Sequence, residues 1–196
     1  MRRAEPARAL PRIAPRDARA RAGRVALAIA QAAAGALLIL HANIWFRAET
    51  RTSAQLIHMV TGQRAVGAAS SQVLILYHGR ELLALFKVTS ECSAAYMVGG
   101  LLIATSPLVL VRRLQWSRLL VALLLAIAVV AVVNVARLTA VGAALSWLGT
   151  AGFVVAHTYL GTAMTFIGTA TAGIVFALLV MGRGDLSRLS TREAAR

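Results

Sequence analysis

The stretch "LLVALLLAIAVVAVVNVARLTAVGAAL", residues 119–145, decides the fold class. It carries a single charged side chain, Arg137. About 20 apolar residues, each rising ~1.5 Å along a helix, are enough to cross the hydrocarbon core of a bilayer. The stretch therefore predicts a transmembrane helix. The chain is 59% hydrophobic with a mean hydropathy of +0.72, which is too apolar for an ordinary soluble domain.

Three other stretches have the same character. Residues 25–46 contain no ionisable group except His41, and residues 94–111 and 158–181 are equally apolar. We therefore predict an all-α integral membrane protein, a polytopic bundle of about four transmembrane helices. A cleaved signal peptide is the alternative for the first stretch, but its apolar run exceeds the usual ~7–15 residues and lacks an A-x-A site where cleavage is expected.

The arginines predict the orientation of these helices. Fifteen of them fall on one side of a four-helix topology: Arg2, Arg3, Arg8, Arg12, Arg16, Arg19, Arg21, Arg24, Arg112, Arg113, Arg118, Arg183, Arg188, Arg192 and Arg196. The positive-inside rule makes that side cytoplasmic. The net charge of +14 then indicates contact with membrane lipids and not with nucleic acid. We predict a disordered basic cytoplasmic tail at 1–24, a catalytic membrane domain at 25–182, and a second basic cytoplasmic tail at 183–196.

Residues 47–93 form the predicted external segment. "TSAQLIHMVTG", residues 52–62, has the pattern of a short amphipathic helix, with Thr52 and Gln55 at capping-box spacing. Residues 73–77 and 82–89 are rich in β-branched and aromatic residues and flank a turn at His78, Gly79 and Arg80. This pattern predicts a short external β-hairpin before the second membrane helix, with another short membrane helix as the alternative.

Three chemically able residues reach the same outer membrane depth in this topology. Cys92, the only cysteine, precedes the second helix. Arg137 lies about 27 Å above the inner end of the third helix, and His157 opens the fourth. Each has a structural alternative: a packed thiol, an arginine that reaches the headgroups, and a polar cap. An ionisable residue within a membrane span, such as Arg137, is by itself a functional candidate. The predicted position of all three residues at one depth favours a shared site.

The chemistry of the trio fits a cysteine nucleophile. A thiol attacks as the thiolate, which a neighbouring cation such as Arg137 favours. His157 could take the thiol proton and return it to a leaving amine, while Arg137 could hold an oxyanion. Asn134, on the same helical face as Arg137, and Ser93, next to Cys92, are predicted to support the site or bind substrate. His78 is a second candidate base, and Glu91 is expected to face solvent or pair with an arginine.

Other reaction classes lack their motifs. The sequence has no H-E-x-x-H, no histidine spacing for zinc, no G-x-S-x-G and no P-loop. Thioester chemistry at Cys92 requires neither a metal nor a cofactor, so we expect none.

"ECSAAY" at 91–96, "NVAR" at 134–137 and "AHTYLG" at 156–161 resemble motifs of the exosortase/archaeosortase family. The resemblance covers roughly residues 71–181 and keeps the family's order of cysteine, arginine, then histidine or a second arginine. It implies a cysteine transpeptidase in the plasma membrane, with its active site on the extracytoplasmic face. Its implied partners are membrane-anchored proteins with a C-terminal signal helix and an amine acceptor, for which a lipid-linked amine is one candidate. Family members often have more membrane helices, and many have glycine after the serine that follows the cysteine.

A non-enzymatic assembly or scaffold subunit is the alternative. In that case Arg137 and Asn134 would join helices and Cys92 would be packing. A transporter is less favoured, because the polar groups lie to one side of the span and not at its midplane.

Overall fold

The computed structural model describes residues 15–68, 72–89, 92–111 and 115–193. This part of the chain is mostly helical and contains one small antiparallel sheet. Its elements are the helices α1 (Pro15–Leu40), α2 (Ala42–Thr61), α3 (Ala94–Thr105), α4 (Trp116–Val155) and α5 (Gly161–Glu193), and the strands β1 (Arg64–Ala68), β2 (Val73–His78) and β3 (Glu81–Lys87). A 3-10 turn, Ser106–Leu110, continues α3, and a π-helical turn, Ala156–Leu160, joins α4 to α5.

The long helices pack as antiparallel neighbours. Gly35 of α1 lies against Gly99 of α3, where a Cβ on either glycine would come within 2.9 Å of the partner's carbonyl oxygen. Further along, Gln31 donates to the Leu102 carbonyl, so the two helices run in opposite directions. A cluster of buried small and branched residues joins α3, α4 and α5: Ala94, Val98, Ala126, Val130 and Ala172. Close approach through small residues is typical of helices that pack in a membrane.

Two helical stretches among the described residues are long and apolar enough to cross a membrane, Arg19–Leu40 and Trp116–Met181. Only 6% of the first apolar window and 33% of the second are buried within the protein. The core helix of a soluble protein would bury most of such a window, whereas exposed apolar surface on this scale is typical of an interaction surface or a membrane location. A shorter apolar segment, Ala94–Leu110, lies between them in the chain.

Gly149 marks the place where the long apolar stretch changes direction. Its backbone has φ +65° and ψ −156°, which glycine adopts without the steric cost of a Cβ. After this residue the chain passes through the π-helical turn and returns along α4 as α5, so that Val133 meets Gly168. The return brings His157 back toward Arg137, and this reversal positions the candidate site.

The first predicted span and the external helix differ from the structure. The first helix begins at Pro15, so residues 15–24 are helical and not disordered, while residues 1–14 lie outside the described part. Proline is favoured at a helix start because its missing N–H needs no partner there. The helix ends at Leu40 and not at Phe46, because Ala42 and Phe46 belong to α2 and bury against Ala95.

The predicted amphipathic helix is the second half of α2. This helix starts at Ala42, which places Thr52 in its interior and makes the predicted cap at Thr52 wrong. It ends at Gly62, which adopts φ +70° and whose N–H bonds the carbonyl of His58. One face of the whole helix, including Phe46, Glu49 and Ile57, is buried.

The predicted hairpin is present, and a third strand accompanies it. β2 and β3 pair antiparallel around Gly79 and Arg80, and β1, which the sequence analysis missed, pairs with the other side of β2. Leu74 and Leu76 of β2 are fully buried against Ile57 of α2 and Leu145 of α4. The sheet therefore sits on α2 and α4, and β3 leads the chain toward Cys92.

Candidate active site

Cys92 lies at the start of α3. The next residue, Ser93, is the N-cap, and its hydroxyl accepts a hydrogen bond from the Ala95 N–H at 3.1 Å. The Cys92 N–H donates to the Thr89 carbonyl at 2.9 Å, and the Thr89 hydroxyl lies 3.6 Å from the Cys92 sulfur. The thiol is 8% exposed and packs beside Val88 and Leu138. A short turn and a helix start thus fix the thiol at the edge of the apolar core.

Arg137 of α4 points its guanidinium at this thiol. Its Nη2 lies 3.9 Å from the Cys92 sulfur, although the two residues are 45 positions apart in sequence. The side chain is 8% exposed, and Gly161 makes room for it, since a Cβ there would lie 3.0 Å from the Arg137 Nε. Arg137 thus places a positive charge beside the sulfur in a largely buried position.

His157 lies in the π-helical turn and faces the same recess. Its ring stacks on Phe153 with a centroid distance of 5.4 Å and an interplanar angle of 4°. The recess is lined by Phe86, Lys87, Val88, Cys92, Arg137, Leu138, Val141, Phe153 and His157. Hydrogen bonds between described side chains reach the thiol from Thr89 and Arg137, and none joins it to His157. π-helical turns are frequent at functional sites.

Glu49 of α2 is the residue that the sequence analysis missed. Its carboxylate is 4% exposed and accepts three hydrogen bonds. Oε2 accepts from the Ser93 hydroxyl at 2.6 Å, and Oε1 accepts from the Ala94 N–H at 3.0 Å and from Asn134 Nδ2 at 2.7 Å. Two of the three donors belong to the start of α3, and the third belongs to α4.

Asn134 connects this carboxylate to the nucleophile. Besides Glu49, its Nδ2 donates to the Cys92 carbonyl at 2.9 Å. We call Glu49, Ser93 and Asn134 the carboxylate tie, because together they join α2, the start of α3 and the middle of α4. Through Asn134 the tie also holds the backbone of Cys92.

The structure brings Cys92, Arg137 and His157 together in one recess, and places Asn134 and Ser93 in the tie beside it. His78, the second candidate base, lies at the end of β2 with its Nδ1 3.4 Å from the Gln63 amide nitrogen, and is not among the recess-lining residues. Glu91 lies outside the described residues.

Arg137 also borders a second groove. This groove runs along α5 and is lined by Arg137, Thr162, Thr165, Phe166 and Thr169. It is open on the apolar surface of the helices. Arg137 therefore lies between the recess that holds the thiol and a groove on the outside of α4 and α5.

No protein-family model, no curated protein and no solved structure matches this chain. A buried thiol with a cation at one side, an imidazole in the same recess and a rigid backbone has the parts that nucleophilic catalysis needs.

Proposed function

We propose that the chain is a membrane-embedded cysteine protease/transpeptidase of the exosortase/archaeosortase type. The observation that supports it most is the 3.9 Å approach of the Arg137 guanidinium to the Cys92 sulfur, in a recess that His157 also lines. In the proposed reaction the enzyme cleaves the C-terminal sorting signal of a membrane-anchored protein and transfers the remainder to an amine.

The proposed mechanism has two halves. His157 takes the thiol proton, directly or through one water, and the thiolate adds to a backbone carbonyl of the substrate. Arg137 stabilises the oxyanion, the C–N bond breaks, and the leaving amine receives the proton from His157. The resulting thioester is attacked by an acceptor amine, whose proton passes to His157 as the C–S bond breaks. Water in place of the amine would give hydrolysis.

The proposed topology has four crossings with both termini in the cytoplasm of a plasma membrane. Ala94–Thr105 and the 3-10 turn that follows it extend about 28 Å together, close to the ~30 Å hydrocarbon thickness. The antiparallel packing of α1 with α3, and of α4 with α5, supports alternate directions of crossing. The active site then faces the extracytoplasmic side, and the groove beside Arg137 suits an apolar signal helix.

A non-enzymatic assembly or scaffold subunit is the second candidate. It is favoured by the burial of Cys92 among Val88 and Leu138, because a lone buried cysteine is usually packing. The two candidates differ in the reactivity of the thiol.

The deciding experiment labels Cys92, the only thiol. Spheroplasts are treated with a membrane-impermeant maleimide, and purified protein with iodoacetamide, for the wild type, Arg137→Gln and His157→Ala, with a denatured sample as the full-labelling reference. The proposal expects labelling from outside, and a slower reaction in Arg137→Gln, because the guanidinium that lies 3.9 Å from the sulfur is gone. Labelling only after denaturation, or only from the cytoplasm, would favour the scaffold.

A further inference from the structure

The two edges of the sheet are not equivalent. The strand order is β1-β2-β3, so β1 and β3 are the edges. β1 lies tightly against α2, where a Cβ on Gly67 would come within 2.9 Å of the Thr50 backbone. Among the described strands β3 pairs with β2 alone, and its Leu82 and Leu85 are 55% and 60% exposed. One face of β1 is therefore packed on α2, whereas the outer edge of β3, called the open edge, pairs with no described strand.

The open edge lacks the usual protection against further pairing. Proteins commonly protect an edge strand with proline, central charges, a bulge or a covering element. β3 reads "ELLALFK", without proline and with its two charges, Glu81 and Lys87, at its ends. The register irregularity lies opposite Leu76 and Tyr77, near the turn. The half of β3 nearest to Cys92 has a regular register and no proline, and its one charged residue is the terminal Lys87.

The ladder shows which backbone groups this half presents. The Val88 N–H donates to the Gln72 carbonyl at 2.8 Å, so these two residues form a hydrogen-bonded pair. In an antiparallel ladder such pairs alternate with pairs whose backbone groups point away. With Lys87 opposite Val73 and Leu85 opposite Ile75, the N–H and C=O groups of Leu85 and Lys87 point to the open edge.

The same end of β3 borders the candidate active site. Phe86, Lys87 and Val88 line the recess that contains Cys92. A strand added along Leu85 and Lys87 would therefore run directly to the thiol. Addition of an extended peptide to an open sheet edge is a recurrent recognition mode, in which main-chain hydrogen bonds supply affinity.

We propose that the open edge of β3 binds an extended peptide segment of the substrate as a fourth strand, through the backbone of Leu85 and Lys87, and delivers its scissile carbonyl to Cys92. This inference rests on the proposed function, since it assigns the peptide-binding part of the same site. We assign a peptide to this edge because β3 presents backbone donors and acceptors there, which pair with another backbone. The row of these groups ends beside the recess that contains the Cys92 nucleophile.

The test uses the reconstituted full-length chain and acetylated alanine peptides that end in a vinyl sulfone, which alkylates the Cys92 sulfur by conjugate addition. Peptide length increases from one to about four residues, enough to pass both outward-facing residues at ~3.4 Å per residue. The alkylation rate relative to iodoacetamide should rise with length. N-methylation of a peptide nitrogen that faces β3 should lower this relative rate roughly two- to tenfold, which corresponds to the loss of one hydrogen bond. Because facing nitrogens alternate along a strand, the effect should appear at every second residue only.

Two variants at Lys87 separate the backbone from the side chain. Lys87→Pro removes the outward N–H, a change that an edge strand accommodates, and should abolish the gain with peptide length. Lys87→Ala keeps the N–H, so its alkylation rate, relative to the rate with the shortest peptide in the same variant, should still rise with peptide length. A rate that does not depend on peptide length, or N-methylation without alternation, would overturn the proposal.

The outcomes also separate this inference from the proposed function. If iodoacetamide labels native Cys92 and Arg137→Gln slows it, but peptides bring no gain, the strand docking is wrong and the nucleophile stands. If Cys92 reacts only after denaturation, the proposed function fails and the docking with it. A disulfide-linked dimer of Leu85→Cys in a Cys92→Ser background would show that a second copy of the chain covers this edge, which would also overturn the proposal.

Discussion

The carboxylate tie and the recess are adjacent, but they are held in different ways. In the tie, Glu49 accepts hydrogen bonds at 2.6, 2.7 and 3.0 Å from three separate donors. In the recess, the contacts to the Cys92 sulfur are 3.6 and 3.9 Å, and His157 is held by a stacked ring. Both sets involve the same short segment at the start of α3.

This difference indicates a division of work within a few residues. Short bonds between buried groups fix the backbone, because any unmade bond leaves an unsatisfied polar group away from water. The contacts to the Cys92 sulfur are longer, and catalytic hydrogen bonds are often long before a substrate binds. We expect substitutions in the tie to change stability first, and substitutions around the recess to change reactivity first.

The largest effect is expected at Glu49. Glu49→Ala removes the shared acceptor and leaves the Ser93 hydroxyl, the Ala94 N–H and the Asn134 amide without it. We expect a loss of roughly 3–5 kcal/mol in unfolding free energy. Denaturant unfolding in detergent measures it, with the exposed Glu81→Ala as the matched control. Equal midpoints for the two variants would show that the tie does not hold the fold.

A smaller loss is expected at Asn134. Asn134→Ala removes the donor to Glu49 and to the Cys92 carbonyl, and should cost about 1–3 kcal/mol. The double variant with Glu49→Ala should lose less unfolding free energy than the sum of the two single losses. Each single variant already breaks the hydrogen bond between Glu49 and Asn134, so the sum counts that bond twice. Strict additivity in the same unfolding assay would contradict a shared network.

Gly161 is expected to separate reactivity from stability. Gly161→Ala would place a methyl group 3.0 Å from the Arg137 Nε and displace the guanidinium from the thiol. Iodoacetamide alkylation of Cys92 should slow several-fold, with a small change in melting temperature. Gly173→Ala, where a Cβ meets no atom within 4 Å, is the control and should leave the alkylation rate unchanged. An unaltered rate in Gly161→Ala would mean that Arg137 does not act on the thiol.

The smallest effect is expected at Phe153. Phe153→Leu keeps an apolar side chain but removes the stacked partner of His157, which is worth about 0.5–1.5 kcal/mol. The alkylation rate should change little, because Arg137 stays beside Cys92. Turnover of a peptide substrate should fall more than alkylation does, since only turnover needs an oriented imidazole. Equal changes in both rates would place His157 outside proton transfer.

The sequence predicted the elements whose signal is local. Long apolar runs located the helices, and β-branched residues around Gly79 located the hairpin. Residue counts along the predicted helices place Cys92, Arg137 and His157 at one membrane depth, and in the structure these three residues line one recess. The break at His41 was missed because apolar residues on both sides of it read as one continuous span.

Glu49 was missed for a different reason. Glu49 lies in the predicted external segment, residues 47–93, but in the structure it belongs to a helix that begins at Ala42. Counted from there, Phe46, Glu49, Ser53 and Ile57 recur at helical spacing on one buried face. The helical spacing of these residues can be read from the sequence. The partners of Glu49 on α3 and α4 cannot, because they meet it only through tertiary packing.

The span of the carboxylate tie has a consequence for biosynthesis. Glu49 and Asn134 are 85 residues apart. At ~5–20 residues per second, the ribosome needs roughly 4–17 s to make that interval. Throughout that time the newly made Glu49 carboxylate lacks its amide partner and has to stay hydrated. Glu49 lies beyond the end of the first apolar run and not within it. Its side chain can therefore stay hydrated until Asn134, the last residue of the tie, has been made.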